Sequence, residues 1–264
     1  MQHSLSVLRR AIVVSSLLLL ATFAGANAAA ASLSLGPAVI TAKGSYGQSL
    51  TERLSISNQT AGTFNFEMIA QDIIVKDGKR VFVAAGRMDN SIAATAVFSP
   101  KELRVPPNTT GFVTVTLTIP QNTPVRAIAA VFHTKVAHAP KPGTVGLTAS
   151  LGALITFNIT DNVSVAASPV KVSLPTPTAN LSFDDDLENT GAEPVIPKGV
   201  AAILANGQKL AGKAKFEVQR LLPGEKLSFH AEYAGELRSG HYKVLCTFQY
   251  QNKTATQEAD FTIP

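Results

Sequence analysis

Between Pro106-Pro107 and Pro120 the chain runs Asn-Thr-Thr-Gly-Phe-Val-Thr-Val-Thr-Leu-Thr-Ile, and this segment limits the possible folds more than any other. A period of two sends Val113, Val115, Leu117 and Ile119 to one side and Phe112, Thr114, Thr116 and Thr118 to the other. Side chains that alternate in this way stand on opposite faces of a β-strand. Proline at either end removes the donor that would extend the ladder. A strand with one apolar face and one hydroxyl face is half buried, as in a sandwich of two sheets.

The same pattern recurs along the chain between clusters of Gly, Pro, Asn and Asp, while helical periodicity is hard to find, so the expected fold class is all-β. In the first half, strands are expected near 33–41, 50–57, 64–75, 80–84, 96–98, 102–105, 112–119, 127–136 and 145–159. Asp77-Gly78 marks a hairpin turn. Pro37 interrupts the first of these strands, which therefore lies at a sheet edge or changes sheets there. Pro169, Pro175 and Pro177 break the pattern after residue 165 and are read as a linker with the first strand of a second domain. Further strands are expected near 181–187, 195–204, 215–221, 226–233, 241–250 and 254–263, with turns at Asn206-Gly207 and Pro223-Gly224.

The two halves echo each other. Leu54-Ser-Ile-Ser-Asn58 answers to Asp185-Asp-Leu-Glu-Asn189, each a strand ending in an Asn turn. The Pro-Pro-Asn turn before Phe112 answers to Leu222-Pro-Gly-Glu before Leu227, and residues 126–136 answer to 240–250. The expectation is two tandem immunoglobulin-like β-sandwiches, residues 31–165 and 166–264, behind a signal peptide over 1–30 that is cleaved.

That signal is read from Arg9-Arg10, an apolar run over 11–24 and the small residues Ala26-x-Ala28. The run is short for a membrane span, and the two arginines lack the flanks of a folded-protein export signal, so the general export route is expected. No cysteine follows the run to take a lipid, no later segment has transmembrane length, and a periplasmic or secreted protein without a transmembrane anchor is expected. Without Arg9 and Arg10, the 23 basic residues fall to 21 against 18 acidic ones. So mild a charge, with no basic cluster interleaved with aromatics, gives no reason to expect a nucleic-acid partner. A single cysteine, Cys246, leaves no internal disulfide, so the fold depends on buried apolar area.

Leu35-x-Pro37, the Asn58 turn, the Pro106-Pro-Asn turn, the Thr/Val strand, Arg126-Ala-Ile-Ala-Ala-Val-Phe132 and the long alternating strand after it resemble the N-terminal domain of periplasmic pilus-assembly chaperones. The likeness is to PapD-like domains. The chain also resembles bacterial tandem immunoglobulin-like envelope proteins, including those that bind WxL-domain proteins. The second half, with Leu187-Glu-Asn-Thr-Gly191, Leu222-Pro-Gly224 and the final Phe-Thr-Ile-Pro, is closer to the surface-protein pattern. The resemblance implies a non-enzymatic exported protein that binds an envelope or surface protein, through addition of a β-strand. A periplasmic pilus or fimbrial assembly chaperone acting on a pilin-like subunit is the alternative. In such chaperones an arginine of the first strand and a lysine of the last strand of the first domain hold a pilin's terminal carboxylate. The corresponding stretches here, 36–40 and 152–156, contain no basic residue. A glycan-binding module ranks third, since there is no Trp and only four Tyr to stack on sugars.

Residues 145–159 form the longest clean alternation in the chain. Val145, Leu147, Ala149, Leu151, Ala153, Ile155 and Phe157 share one face, and Ser150 and Thr156 lie on the other. Without charge or proline, such a strand must pair along its length, within its own sandwich or with a partner's strand. This is the candidate partner-binding strand, and the outer positions Ser150 and Thr156 are expected to be replaceable without disturbing the core.

No catalytic residue, metal ligand or cofactor is expected elsewhere. Asp184, Asp185, Asp186 and Glu188 could gather Ca²⁺ oxygen ligands, but alternation sends three of them to a solvated strand face, and Asp185 on the apolar face suggests a bulge. His133, His138, His230 and His241 lack metal-ligand spacing on a shared face. Cys246 shares its face with Tyr242, Val244, Phe248 and Tyr250 and is expected to be a buried small hydrophobe. No Gly-x-Ser-x-Gly elbow, Ser-x-x-Lys motif or phosphate loop is present. The sequons at Asn108 and Asn158 read as turn chemistry.

Overall fold

The structure, a computed structural model, describes residues 32–135, 150–206 and 208–264, and eighteen strands lie among these described residues. The signal segment lies outside the described residues. The first sandwich contains β1 (Leu33–Gly36), β2 (Val39–Lys43), β3 (Ser49–Asn58), β4 (Phe64–Lys76), β5 (Lys79–Ala84), β6 (Val97–Ser99), β7 (Glu102–Val105), β8 (Thr109–Thr118), β9 (Ala127–Thr134) and β10 (Ser150–Asn158). The second contains β11 (Val165–Ala167), β12 (Lys171–Ser173), β13 (Leu181–Asn189), β14 (Lys198–Ala205), β15 (Lys209–Lys215), β16 (Lys226–Tyr233), β17 (Gly240–Tyr250) and β18 (Lys253–Ile263). Both are Ig-type sandwiches, as the alternation requires.

In the first sandwich one sheet has the order β1-β3-β8-β6 and the other β2-β10-β9-β4-β5, with β7 also on β4. The proline at position 37 divides β1, which pairs with β3 in one sheet, from β2, which runs parallel to β10 in the other. The expected change of sheet therefore occurs. Val113, Val115, Leu117 and Ile119 are buried against Phe66, Met68, Phe132 and Phe157 from the facing sheet. The opposite face of β8 carries hydroxyl pairs, Thr51 with Thr116 and Ser49 with Thr118, both at 2.9 Å.

In the second sandwich β13 is flanked by β16 on one side and by β11 and β12 on the other, facing the sheet β15-β14-β17-β18. Phe183, Phe216, Phe229 and Phe248 fill its core. One expectation shifts here. The strand anticipated at 215–221 lies instead at β15, which forms a hairpin with β14, leaving Phe216 and Leu221 as isolated bridges. The stretch 166–178, expected to hold a linker with the entering strand, contains most of β11 and all of β12, both paired with β13, and the crossover between the sandwiches runs over 159–164.

The echo between the halves is structural. Asn58 and Asn189 are each fully buried at the end of a strand. Asn58 Nδ2 donates to the carbonyls of Gly62, Val105 and Pro106, and Asn189 Nδ2 donates to those of Glu193 and Leu221. Each Oδ1 accepts a backbone N–H two residues on, from Thr60 and Gly191. A buried amide that satisfies both its ends pins a loop without leaving an orphaned polar group.

The sandwiches meet through polar and apolar contacts. Glu193, with no exposed surface, accepts Arg126 Nε at 3.1 Å, and it also receives the N–H groups of Ile159 and Thr160 and the Thr160 hydroxyl. Arg126 Nη1 donates to the carbonyls of Thr123 and Val125. Arg80 grips Glu225 through Nε and Nη2 and donates to the carbonyl of Arg220. Between these pairs Leu222 packs on Ile73, Ala127, Ala129 and Val131, the outer face of the second sheet of the first sandwich. This explains why β9 is apolar on both faces.

Removing one member of a buried ion pair leaves the other charge uncompensated. Arg126→Ala is therefore expected to lower stability by about 3–5 kcal/mol in chemical denaturation. The double variant Arg126→Met/Glu193→Leu should not recover the loss, because Ile159, Thr160 and their hydroxyl donor lose their acceptor as well. Full recovery would show that the pair matters only as a charge pair.

Candidate functional site

The strand expected over 145–159 is described from Ser150 onward as β10, while Val145, Leu147 and Ala149 lie outside the described residues. Its inner positions Ala153, Ile155 and Phe157 are fully buried in the first core, and Leu151 is half-buried at its margin. These residues serve packing. Along one side, residues 150–156 pair antiparallel with β9; along the other, only 154–158 are covered, by β2. Leu154 N–H donates to the carbonyl of Ala38 on that second side, whereas Phe157 N–H donates to Arg126 on the first. Backbone groups alternate in direction along a strand, so the N–H and C=O of Ser150 and Gly152 point, like those of Leu154, toward the second side. No described strand pairs with them there. Among the described residues, the part of β10 with no paired strand on that side runs from Ser150 to Ala153.

Gly152 is exposed and a Cβ built on it would touch nothing within 4 Å. Ser150 is exposed too, and its Oγ lies 2.6 Å from Nδ1 of His133 on β9. Thr156 departs from expectation. It is completely buried and its hydroxyl donates to the carbonyl of Ile40 on β2. It is therefore part of the β2–β10 seam, and of the two outer positions only Ser150 is uncovered.

Where the edge ends, a cleft of about 790 Å³ opens between the sandwiches. Thr41 and Lys43 of β2, Thr156 and Asn158 of β10, Pro194, Ile196, Arg220 and Tyr250 line it. Arg220 Nη2 donates to Thr41 Oγ1 at 2.6 Å, yet its Nη1 is buried without a partner. Burial and then the nearby charge of Arg80 push the Arg220 pKa down. Sequence reasoning missed Arg220 because it comes from the second sandwich, some sixty residues beyond β10, and no local spacing connects them.

The acidic run divides between two faces. Asp184 pairs with His230 at 2.8 Å and Asp186 with Lys171 at 3.6 Å on the outer side. Asp185 points inward with no exposure, and the β13–β16 register runs from Leu181 to Glu188 without a shift, so the expected bulge is absent. Among the described residues no group of three or more His, Cys, Asp or Glu is placed to hold a metal ion. Cys246 is fully buried, and its thiol is pushed up to about 12 by burial and then by Asp185, leaving it inert at neutral pH. His241 contacts Thr262, and His138 lies outside the described residues. Asn108 sits in a left-handed turn with φ 54°, in keeping with its reading as turn chemistry. No helix among the described residues is long and apolar enough to cross a membrane.

Comparison with known proteins gives no matching family model and no matching curated protein. Solved structures to which the chain is similar include the class 5 fimbriae chaperone CfaA, at TM-score 0.47 and 14% identity, covering 88% of this chain and 100% of that one. Another is the CsuC–CsuE chaperone–tip adhesion subunit pre-assembly complex of Acinetobacter baumannii, at 0.46 and 9%, covering 86% and 98%. The E. coli chaperone DraB gives 0.42 and 13%, covering 89% and 98%.

Asp185 supplies a test of the second core. Neither of its carboxylate oxygens has a partner, and burial first, then the charge of Asp186, raises its pKa from 3.8 to about 7. The folded chain therefore keeps a proton there that the unfolded chain releases above pH 4. Stability should fall as pH rises between about 4 and 7, by as much as about 4 kcal/mol, and then level off. Asp185→Asn should flatten that part of a denaturation-versus-pH curve and exceed the wild type above pH 7. An unchanged slope in the variant would assign the pH dependence elsewhere.

Proposed function

We propose that this chain is a non-enzymatic envelope protein that binds another protein by accepting one of its segments as an added strand along the open edge of β10. The supporting observation is the row of outward backbone groups at Ser150 and Gly152, in a stretch with neither charge nor proline to blunt it. An unpaired edge of this kind offers main-chain hydrogen bonds to any extended segment, and adjacent side-chain positions supply selectivity. β1 runs close by at the edge of the opposite sheet, so an added strand would close the seam between the sheets and shield Leu33, Leu35 and Leu151, which are only partly covered.

A second reading, a periplasmic assembly chaperone for pilin-like subunits, is favoured by the charges of the cleft. The stretches 36–40 and 152–156 lack the basic residues that would hold a subunit's carboxylate, but Lys43 and Arg220 line the cleft beside Thr41 and Thr156. On this reading the anchoring charge has moved to the end of β2 and into the second sandwich.

The N–H of Gly152 points away from β9, so Gly152→Pro removes an edge donor and leaves the internal ladder intact. The variant is expected to melt within about 3 °C of the wild type, a shift of under ~1 kcal/mol. It should lose the partner recovered from envelope extracts with the tagged wild-type chain. Hydrogen exchange should show the amides of Ser150 and Gly152 unprotected in the free chain and protected in the complex. Undiminished partner recovery by a folded Gly152→Pro or Ser150→Pro chain would leave β10 as core structure alone.

A further inference from the structure

A second hollow at the junction, of about 720 Å³, shares Ile196 and Arg220 with the cleft. Large apolar side chains form its walls although they remain open to solvent: Val39 is 51% exposed, Ile196 39% and Val218 63%, with Leu154 and Leu227 half-buried beside them. Three such residues around one concavity set it apart from apolar side chains scattered singly over a surface. The rim is basic. Arg80 and Glu225 neutralise each other, but Lys79, Lys226 and Arg220 have no carboxylate within ion-pair distance among the described residues. The groove is also continuous with the strand edge, because the open part of β10 ends where Val39 of β2 meets Leu154, and those two residues form its first wall.

We propose that this groove receives the continuation of the polypeptide segment that adds to β10, and that this continuation is apolar with acidic side chains at its flank. The proposal rests on the strand-addition reading and specifies the chemistry of its partner. Apolar side chains of the segment would cover Val39, Ile196 and Val218, and its carboxylates would meet Lys79, Lys226 and Arg220. Paired charges at a rim act mainly on selectivity and encounter rate, so the basic rim chooses among extended segments that the edge alone would accept. A narrow concavity leading from a strand edge fits an extended chain better than a flat lipid surface.

The test uses three synthetic peptides with blocked termini and one shared Val/Thr/Ile alternation, followed by an Asp-Glu, an Asn-Gln or a Lys-Lys pair. Binding to the full chain is followed by fluorescence anisotropy. The Asp-Glu peptide should bind about tenfold tighter than the Asn-Gln peptide, and the Lys-Lys peptide weakest. That order should vanish in Lys79→Glu/Lys226→Glu, and Val218→Asp should weaken all three. All three positions are exposed, so folding should be retained, as a melting curve will check. Equal affinities, or an order that survives the charge reversal, would overturn the proposal. So would a larger gain from unblocking the C-terminus of the Asn-Gln peptide than from adding Asp-Glu, since the groove would then select a chain end.

Gly152→Pro separates the two proposals. Binding lost in Gly152→Pro but indifferent to the rim charges keeps strand addition and discards the acidic segment. Binding sensitive to the rim and indifferent to Gly152→Pro keeps a groove for acidic segments but removes its link to β10.

Discussion

The carboxylate of Glu193 holds the two sandwiches in one arrangement, and the site depends on that arrangement. A fully buried carboxylate is strongly destabilising unless its charge is matched and its lone pairs are used. Here Arg126 comes from the base of β9, and three further donors come from the crossover at Ile159 and Thr160. The crossover is thereby tied to both bodies. Because Arg126 directly precedes a strand flanked by β10 and β4, the pair also fixes which face of the first sandwich meets the second. The Arg80–Glu225 pair and Leu222 complete the contact, and the cleft and the neighbouring groove are the spaces left around it.

Most buried polar groups are paired; among the described residues Asp72 Oδ2 and Arg220 Nη1 are single atoms without a partner, and Asp185 has none at either oxygen. Asn58, Asn189, Arg126 and Glu193 all make hydrogen bonds appropriate to their chemistry. Asp185 does not. It lies in the middle of β13, opposite Phe229 in the ladder, where a Val would suit the pattern. Its outward neighbours Asp184 and Asp186 have basic partners while Asp185 has none.

Several boundary strands carry charge, although the short edges β1 and β6 do not. β15 carries Lys209, Lys213 and Lys215, β5 carries Lys79 and Arg80, and β18 carries Lys253, Glu258 and Asp260. Charges of this kind oppose pairing with another chain. The open four residues of β10 have none, and one of them is a glycine with empty space beside it.

Much of the fold was legible because it depends on local patterns. Period-two alternation gave the strands, Asp77-Gly78 gave a hairpin, Pro37 gave the change of sheet, and the paired Asn turns at 58 and 189 gave the repeat. The misplacement of β15 shows the limit of that method, since Lys209–Lys215 is poor in apolar residues while 216–222 is rich in them. Phe216 and Leu221 are apolar because they fill the second core, whereas Val218 faces the groove and Leu222 the other sandwich, a demand that no local pattern reveals. The same holds for Thr156, whose surroundings come from a parallel strand more than a hundred residues away, and for Arg220, which reaches the cleft from the other sandwich. Sequence alone determined which residues form strands and which side of each is apolar, because those follow from the geometry of one strand. Tertiary structure decided which edge stayed open and where the unpaired charges gathered, because both depend on how buried Glu193 and Arg126 set one sandwich against the other.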